Sequence, residues 1–159
     1  MLLFKDVFSD DEMFSDAYKY TEKGCTLEVE CKMIQVREGS DIPVNEEDCD
    51  DQTITVNDVV YSFRLVETQF DKKTYMTYIK GYMKKLSAYL EANNPDRVAG
   101  FKSEAQAFVK EMLGQISELQ FFIGESMDPD AMVALLLWRE DGITPYIVFF
   151  KDGLKQEKL

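Results

Sequence analysis

Histidine is absent from this chain. That gap removes Ser-His-Asp and Cys-His catalysis, because both need an imidazole to take the proton of the nucleophile. Cysteine is scarce. Cys25, Cys31 and Cys49 are spaced 6 and 18 apart and contain no C-x-x-C pair. Three thiols cannot make a four-thiolate zinc site. An odd count without a signal peptide fits a reducing cytoplasm with free thiols, the alternative being one oxidised pair.

Long apolar runs are missing too. The longest, Met132 to Trp138, has seven residues, against about 20 for a membrane-spanning helix. The first residues, Met-Leu-Leu-Phe-Lys-Asp, are charged by position five and lack a signal core. The expectation is a cytoplasmic chain with no membrane span. The closing Glu157-Lys158-Leu159 reads as a plain charged tail rather than a peroxisomal address. Bases are in deficit: 18 Lys and Arg face 30 Asp and Glu, a net charge of −12. A phosphate backbone selects basic surfaces, so general nucleic-acid binding is excluded. Neither a G-x-x-x-x-G-K-[ST] loop nor a G-x-G-x-x-G fingerprint is present.

What is present suits one α+β domain. The 159 residues are 45% hydrophobic and 13% aromatic. A chain this long buries roughly 70% of its unfolded surface, so it needs no metal or disulfide to fold. Residues 1–37 read as short strands, with the alternating Leu27 to Met33 a half-buried strand after a turn at Gly24. Residues 38–58 hold eight acids and no base. This predicts a mobile acidic loop, bounded as 38–52, whose like charges repel. An EF-hand opening at Asp48 would need Gly and Glu where Thr53 and Val59 stand. No cofactor is required, and weak calcium binding by clustered carboxylates is the alternative to a solvated loop. Strand character resumes from Thr53 to Leu65, where Val59, Val60, Tyr61 and Phe63 are β-formers.

The clearest pattern spans 71–118. Tyr75, Tyr78, Ile79, Tyr82, Leu86 and Leu90 follow helical spacing. Asn93-Asn94-Pro95-Asp96 ends that helix and caps a second, in which Val98, Phe101, Ala105, Phe108 and Met112 step by three or four. A short break forces the two antiparallel, giving a helical hairpin. This segment carries 8 bases and 6 acids, a net of +2, so the remainder carries −14. Lys72, Lys73, Lys80, Lys84 and Lys85 all fall on the first helix. They form a solvated face or a docking surface for an acidic partner. Residues 119–159 return to strands: 120–124, Met132 to Trp138, a hairpin turn at Asp141-Gly142, and Thr144 to Phe150. Trp138 beside Arg139 either stacks on a ligand or, the preferred reading, is core with Arg139 the partner of a nearby acid. Within Asp10-Asp11-Glu12, Glu12 is either a functional acid or part of a solvated turn. The missing catalytic parts disfavour an enzyme and leave a partner-binding protein.

Phe121-Phe122-Ile123-Gly124-Glu125-Ser126-Met127-Asp128-Pro129-Asp130, Arg139-Glu140-Asp141-Gly142-Ile143-Thr144-Pro145 and Phe149-Phe150-Lys151-Asp152-Gly153 resemble the C-terminal signature of the translationally controlled tumour protein family. Asp11-Glu12-Met13-Phe14-Ser15, Tyr78-Ile79-Lys80-Gly81-Tyr82 and Pro95-Asp96-Arg97-Val98 continue the likeness in order along almost the whole chain. The resemblance implies a β-tent of twisted, mostly antiparallel sheets with an inserted α-helical hairpin and a mobile loop. It also implies a multi-partner protein linked to growth, microtubules, calcium and protection from stress and cell death. Two sites follow by matching position. Glu12 stands where the family presents an acid to a Ras-like small GTPase, whose nucleotide exchange it is proposed to promote. Lys80, Lys84 and Lys85 fall in the region implicated in tubulin binding. The chain departs from the family in its acidic loop, whose only serine is Ser40, and in the stretch after Asp16, where a death-regulator-binding motif does not transfer.

Overall fold

A computed structural model describes residues 1–37, 43–44 and 53–158. The predicted loop over 38–52 therefore lies, apart from residues 43–44, outside the described residues, as does Cys49. Twelve strands occur among the described residues: β1 (Leu2–Asp6), β2 (Glu12–Ser15), β3 (Tyr20–Lys23), β4 (Thr26–Glu30), β5 (Met33–Arg37), β6 (Pro43–Val44), β7 (Thr53–Asn57), β8 (Val66–Thr68), β9 (Gln120–Ile123), β10 (Ala134–Trp138), β11 (Pro145–Phe150) and β12 (Leu154–Lys158). The helices are α1 (Asp58–Phe63), α2 (Lys72–Asn93) and α3 (Val98–Leu113). The strands form a six-stranded sheet in the order β3-β4-β11-β10-β9-β8 and two three-stranded sheets, β12-β1-β2 and β6-β5-β7. Every pairing is antiparallel.

Aromatic side chains join the first small sheet to the large one. Phe4 stacks on Phe14 at 4.3 Å between centroids, Phe14 stacks on Phe149 at 4.9 Å, and Tyr20 meets Phe4 and Phe14 edge-on. Phe4, Phe14 and Phe149 are buried, so this column combines area burial with favourable ring geometry. Beside it, the buried Asp6 carboxylate accepts hydrogen bonds from the Phe8 and Met132 amides, both at 2.9 Å. It thereby ties β1 to the segment entering β10. Burial raises its pKa, against the pull of those same hydrogen bonds.

The helical hairpin rests on the large sheet. A capping box starts α2: the Thr74 amide donates to the Asp71 carboxylate at 2.8 Å, and the Asp71 amide donates to the Thr74 hydroxyl at 2.9 Å. Tyr75, Ile79, Tyr82, Leu86 and Leu90 are buried on its inner face, matching the periodicity of the sequence. The Tyr78 hydroxyl donates to Ala131 O at 2.6 Å and accepts from the Val133 amide at 3.0 Å, fixing the helix to the β9–β10 connection. Pro95–Arg97 form a 3₁₀ turn, and α3 then runs back antiparallel.

Five local expectations need correction. Residues 58–63 are helix α1 rather than strand. The Asn57 side chain caps it by accepting from the Val59 and Val60 amides, and Arg64, at φ 56°, closes it. Paired backbone donors outweigh the weak β preference of Val and Tyr. The strand expected from Leu27 to Met33 breaks after Glu30: Leu27, Val29 and Cys31 are buried as predicted, but Met33 is exposed and opens β5. No side chain caps α3, so Asn94 and Asp96 do not perform that role. Trp138 is 44% exposed rather than core, because β9 pairs with β10 only as far as Leu136. The closing segment is not a plain tail. Leu154–Lys158 is β12, paired with β1 along its whole length.

Candidate functional site

Glu12 opens β2, an edge strand of its sheet. It is exposed while Met13, Phe14 and Ser15 are buried. The preceding turn is tight. Asp10 adopts φ 65°, its amide donates to Asp6 O, and the Asp6 amide donates to Asp11 O. The three acids of this turn have separate fates. Asp10 faces Lys155 and lies 3.4 Å from Lys5 Nζ. Its hydrogen bond to Lys155 holds its carboxyl below the usual carboxylate range. Asp11 accepts from the Ser126 hydroxyl at 2.6 Å and from the Ser126 amide. It lies so close on Gly124 that a Cβ there would come within 2.3 Å of its carboxylate. The Glu12 side chain has no hydrogen bond or ion pair among the described residues. It is the member of the trio left available to an outside partner.

The lysines predicted as one site divide between two sides of α2. At 100° per residue, Lys80 and Lys84 lie about 40° apart, whereas Lys85 is about 100° round from Lys84. Lys85 Nζ sits 4.3 Å over the Phe8 ring and 3.5 Å from Asp130 O. Lys80 and Lys84 are exposed, and neither has an ion pair among the described residues. Two lysines of α3 join them. Lys80 and Lys110 line one depression between the helices, and Lys84 and Lys102 line the next. Sequence reasoning counted Lys102 and Lys110 in the hairpin charge but did not place them. The spacing 102, 106, 110, 113 marks their face of α3 and would have found them.

Other charged side chains are paired within the fold. Arg97 forks onto Glu104 at 3.1 Å and onto Asp152 at 2.9 Å. These bonds, the one to Glu104 first, raise the arginine's pKa, and the same bond lowers that of Glu104. Arg139 bonds Glu28 at 2.8 Å, as expected of it, and lies 3.8 Å over the Tyr146 ring. Cys25 and Cys31 are free and buried. Burial pushes their pKa values up to about 11 and about 12, so both are thiols at neutral pH. No group of three or more Cys, Asp or Glu suited to a metal ion occurs among the described residues. No helix among them is long and apolar enough to cross a membrane.

Fold and surface together define a mixed α+β protein with unpaired charged side chains on an edge strand and on the outer face of a helical hairpin. The chain belongs to the translationally controlled tumour protein family, whose family model matches residues 1–155. It is 52% identical to the translationally-controlled tumor protein homolog of Schizosaccharomyces pombe, with 99% of each chain covered. It is 48% identical to that of Danio rerio, again with 99% of each covered. The solved structure of the S. pombe protein superposes with a TM-score of 0.88 over 100% of both chains. The TCTP structure from Caenorhabditis elegans, 29% identical, gives 0.77 over 100% of this chain and 99% of that one.

Proposed function

We propose that this protein is a non-enzymatic, cytoplasmic, multi-partner binding protein that docks tubulin through the helical hairpin, within a wider role in growth, calcium binding and cell survival. The observation carrying this reading is the pair Lys80 and Lys84, exposed and without an ion pair among the described residues. The hairpin bearing them carries +2 in a chain whose remainder carries −14. An acidic polymer surface is attracted to such a face and repelled by the rest of the molecule, which sets orientation as well as rate. Co-sedimentation with microtubules across a salt series tests it. Binding by the wild type should weaken with salt, and Lys80→Glu/Lys84→Glu/Lys85→Glu should abolish it. Unchanged binding by the triple variant rejects hairpin docking.

A second reading, regulation of a Ras-like small GTPase, is favoured by the freedom of Glu12. A carboxylate on an exposed strand edge can compete with phosphate or magnesium contacts in a nucleotide site. Nucleotide release from the GTPase should accelerate with wild type and not with Glu12→Ala. Equal background rates for both would remove this reading.

A further inference from the structure

The outer face of the hairpin carries more than charge. Between α2 and α3 runs a furrow whose floor is Ile79 and Val109 and whose walls include Met76, Met83 and Leu113. Ile79 and Val109 are buried, and the three wall residues are half-buried. Met83 and Gln106 also line the adjoining depression toward Ala88 and Lys102, so the two depressions meet at those side chains. From Lys102 to Leu113 on α3, and from Met76 to Glu91 on α2, the sides of the furrow run about 17–22 Å at 1.5 Å per residue. Lys80 and Lys110 stand on its rim at one end, and Lys84 and Lys102 at the other. All four are exposed and none has an ion pair among the described residues. Glu91 is the one acid among the lining residues.

We propose that this furrow receives an amphipathic α-helix of a partner protein, with an apolar stripe flanked by carboxylates. The proposal rests on the reading above that the hairpin is the docking surface, and adds the kind of element docked. Three features select that occupant. Two antiparallel helices leave a groove whose ridges accept a third helix at a shallow crossing angle. The apolar floor needs an apolar stripe, and two methionines let the walls adapt to its side chains. The rim sets the sign: four lysines, two from each helix, match acids on both sides of the stripe. A second copy of this chain is a poor occupant, because its net −14 body would approach together with any helix it offered.

The test uses a fluorescent 16-residue helical peptide with leucines at i, i+3, i+4 and i+7 and glutamates flanking them. Two controls accompany it, a Glu→Gln version and a scrambled version of equal composition. Anisotropy titration of the full chain should give saturable binding that weakens with salt. The Glu→Gln and scrambled peptides should each bind at least about tenfold more weakly. Gln106→Trp places bulk in the furrow from an exposed position, so it should block the peptide without disturbing the core. Lys80→Glu/Lys110→Glu should weaken it about tenfold, while Glu12→Ala should bind normally. Far-UV circular dichroism confirms folding of each variant. Equal binding of the scrambled peptide, unimpaired binding by Gln106→Trp, or no saturation with the amphipathic peptide would overturn the proposal. So would a concentration-dependent dimer that Gln106→Trp dissolves, since the occupant would then be a second copy. Microtubule co-sedimentation of the wild type, set beside its peptide titration, separates the two ideas. Tubulin binding without peptide binding sinks the furrow alone, and peptide binding without tubulin binding sinks the tubulin reading alone.

Discussion

Arg97 holds three parts of the molecule with one side chain. It leaves the turn between α2 and α3, forks onto Glu104 about two turns into α3, and reaches Asp152 in the turn before β12. The Asp152 side chain is only 6% exposed, so losing its partner strands a carboxylate away from water. Arg97→Ala is expected to cost about 2–3 kcal/mol in urea unfolding, and Arg97→Lys, which keeps charge but loses the planar fork, about 1–2 kcal/mol. In the sequence Arg97 was visible as part of Pro95-Asp96-Arg97-Val98, but its partner 55 positions on was not. The same limit explains Trp138. Its apolar run marked a buried strand correctly. Whether the last residue had a neighbour depended on where β9 stops, and nothing local to Trp138 encodes that.

Secondary-structure elements were legible in proportion to how far their signal is local. The hairpin was read within a few residues because 3.6-residue periodicity is a property of one segment. Helix α1 was misread for the opposite reason. Val59, Val60, Tyr61 and Phe63 suit a strand, and the deciding signal is the polar residue in front of them. The Asn57 amide oxygen takes two α1 amides, and the Asp58 carboxylate takes the Lys32 amide at 3.0 Å, holding the start of β5. Asn57→Ala should therefore destabilise the chain by about 1 kcal/mol. Asn57→Asp, which keeps the accepting oxygen, should recover most of that loss. Urea midpoints of the two variants check this, and equal losses would assign Asn57 a packing role instead. β12 escaped detection because four of its five residues are exposed. Its pairing is written in backbone hydrogen bonds, which leave no apolar alternation.

At the scale of the whole molecule, acids divide by how they respond to pH. Asp10, Asp71, Glu104 and Asp141 have pKa values lowered by hydrogen bonds to lysine, backbone amides or arginine. Groups of this kind add stability above their unfolded pKa, and it is lost as pH falls through the folded value. Asp6 runs the other way. Its pKa is raised by burial, so its contribution is fully present below the unfolded value and lost as pH rises through the folded one. Urea unfolding from pH 7 to 3 should show net loss of stability toward acid. The stability of wild type relative to Asp6→Asn should rise as pH falls, and a difference independent of pH would show that Asp6 does not titrate differently on folding. The sequence disclosed the class and the uneven charge, −14 against +2, but not the sheet order. Placing β4 beside β11 pairs Thr26 with Phe150, a relation set by packing across the whole chain. The candidate acid and all three candidate lysines are exposed, although Lys85 lies over the Phe8 ring and away from the other two. The furrow beside those lysines needed both helices at once.

The pairing of β1 with β12 has a consequence during synthesis. Asp6 lies opposite Leu154 and Leu2 opposite Lys158, so the partner of β1 emerges from the ribosome about 150 residues later, a delay of roughly 7–30 s at ordinary translation rates. For that interval one border of the β1–β2 ribbon is open, and open borders recruit strands from neighbouring nascent chains. Lys5 and Asp6 sit on that ribbon and Asp10 at its turn, so charge guards the border until β12 closes it.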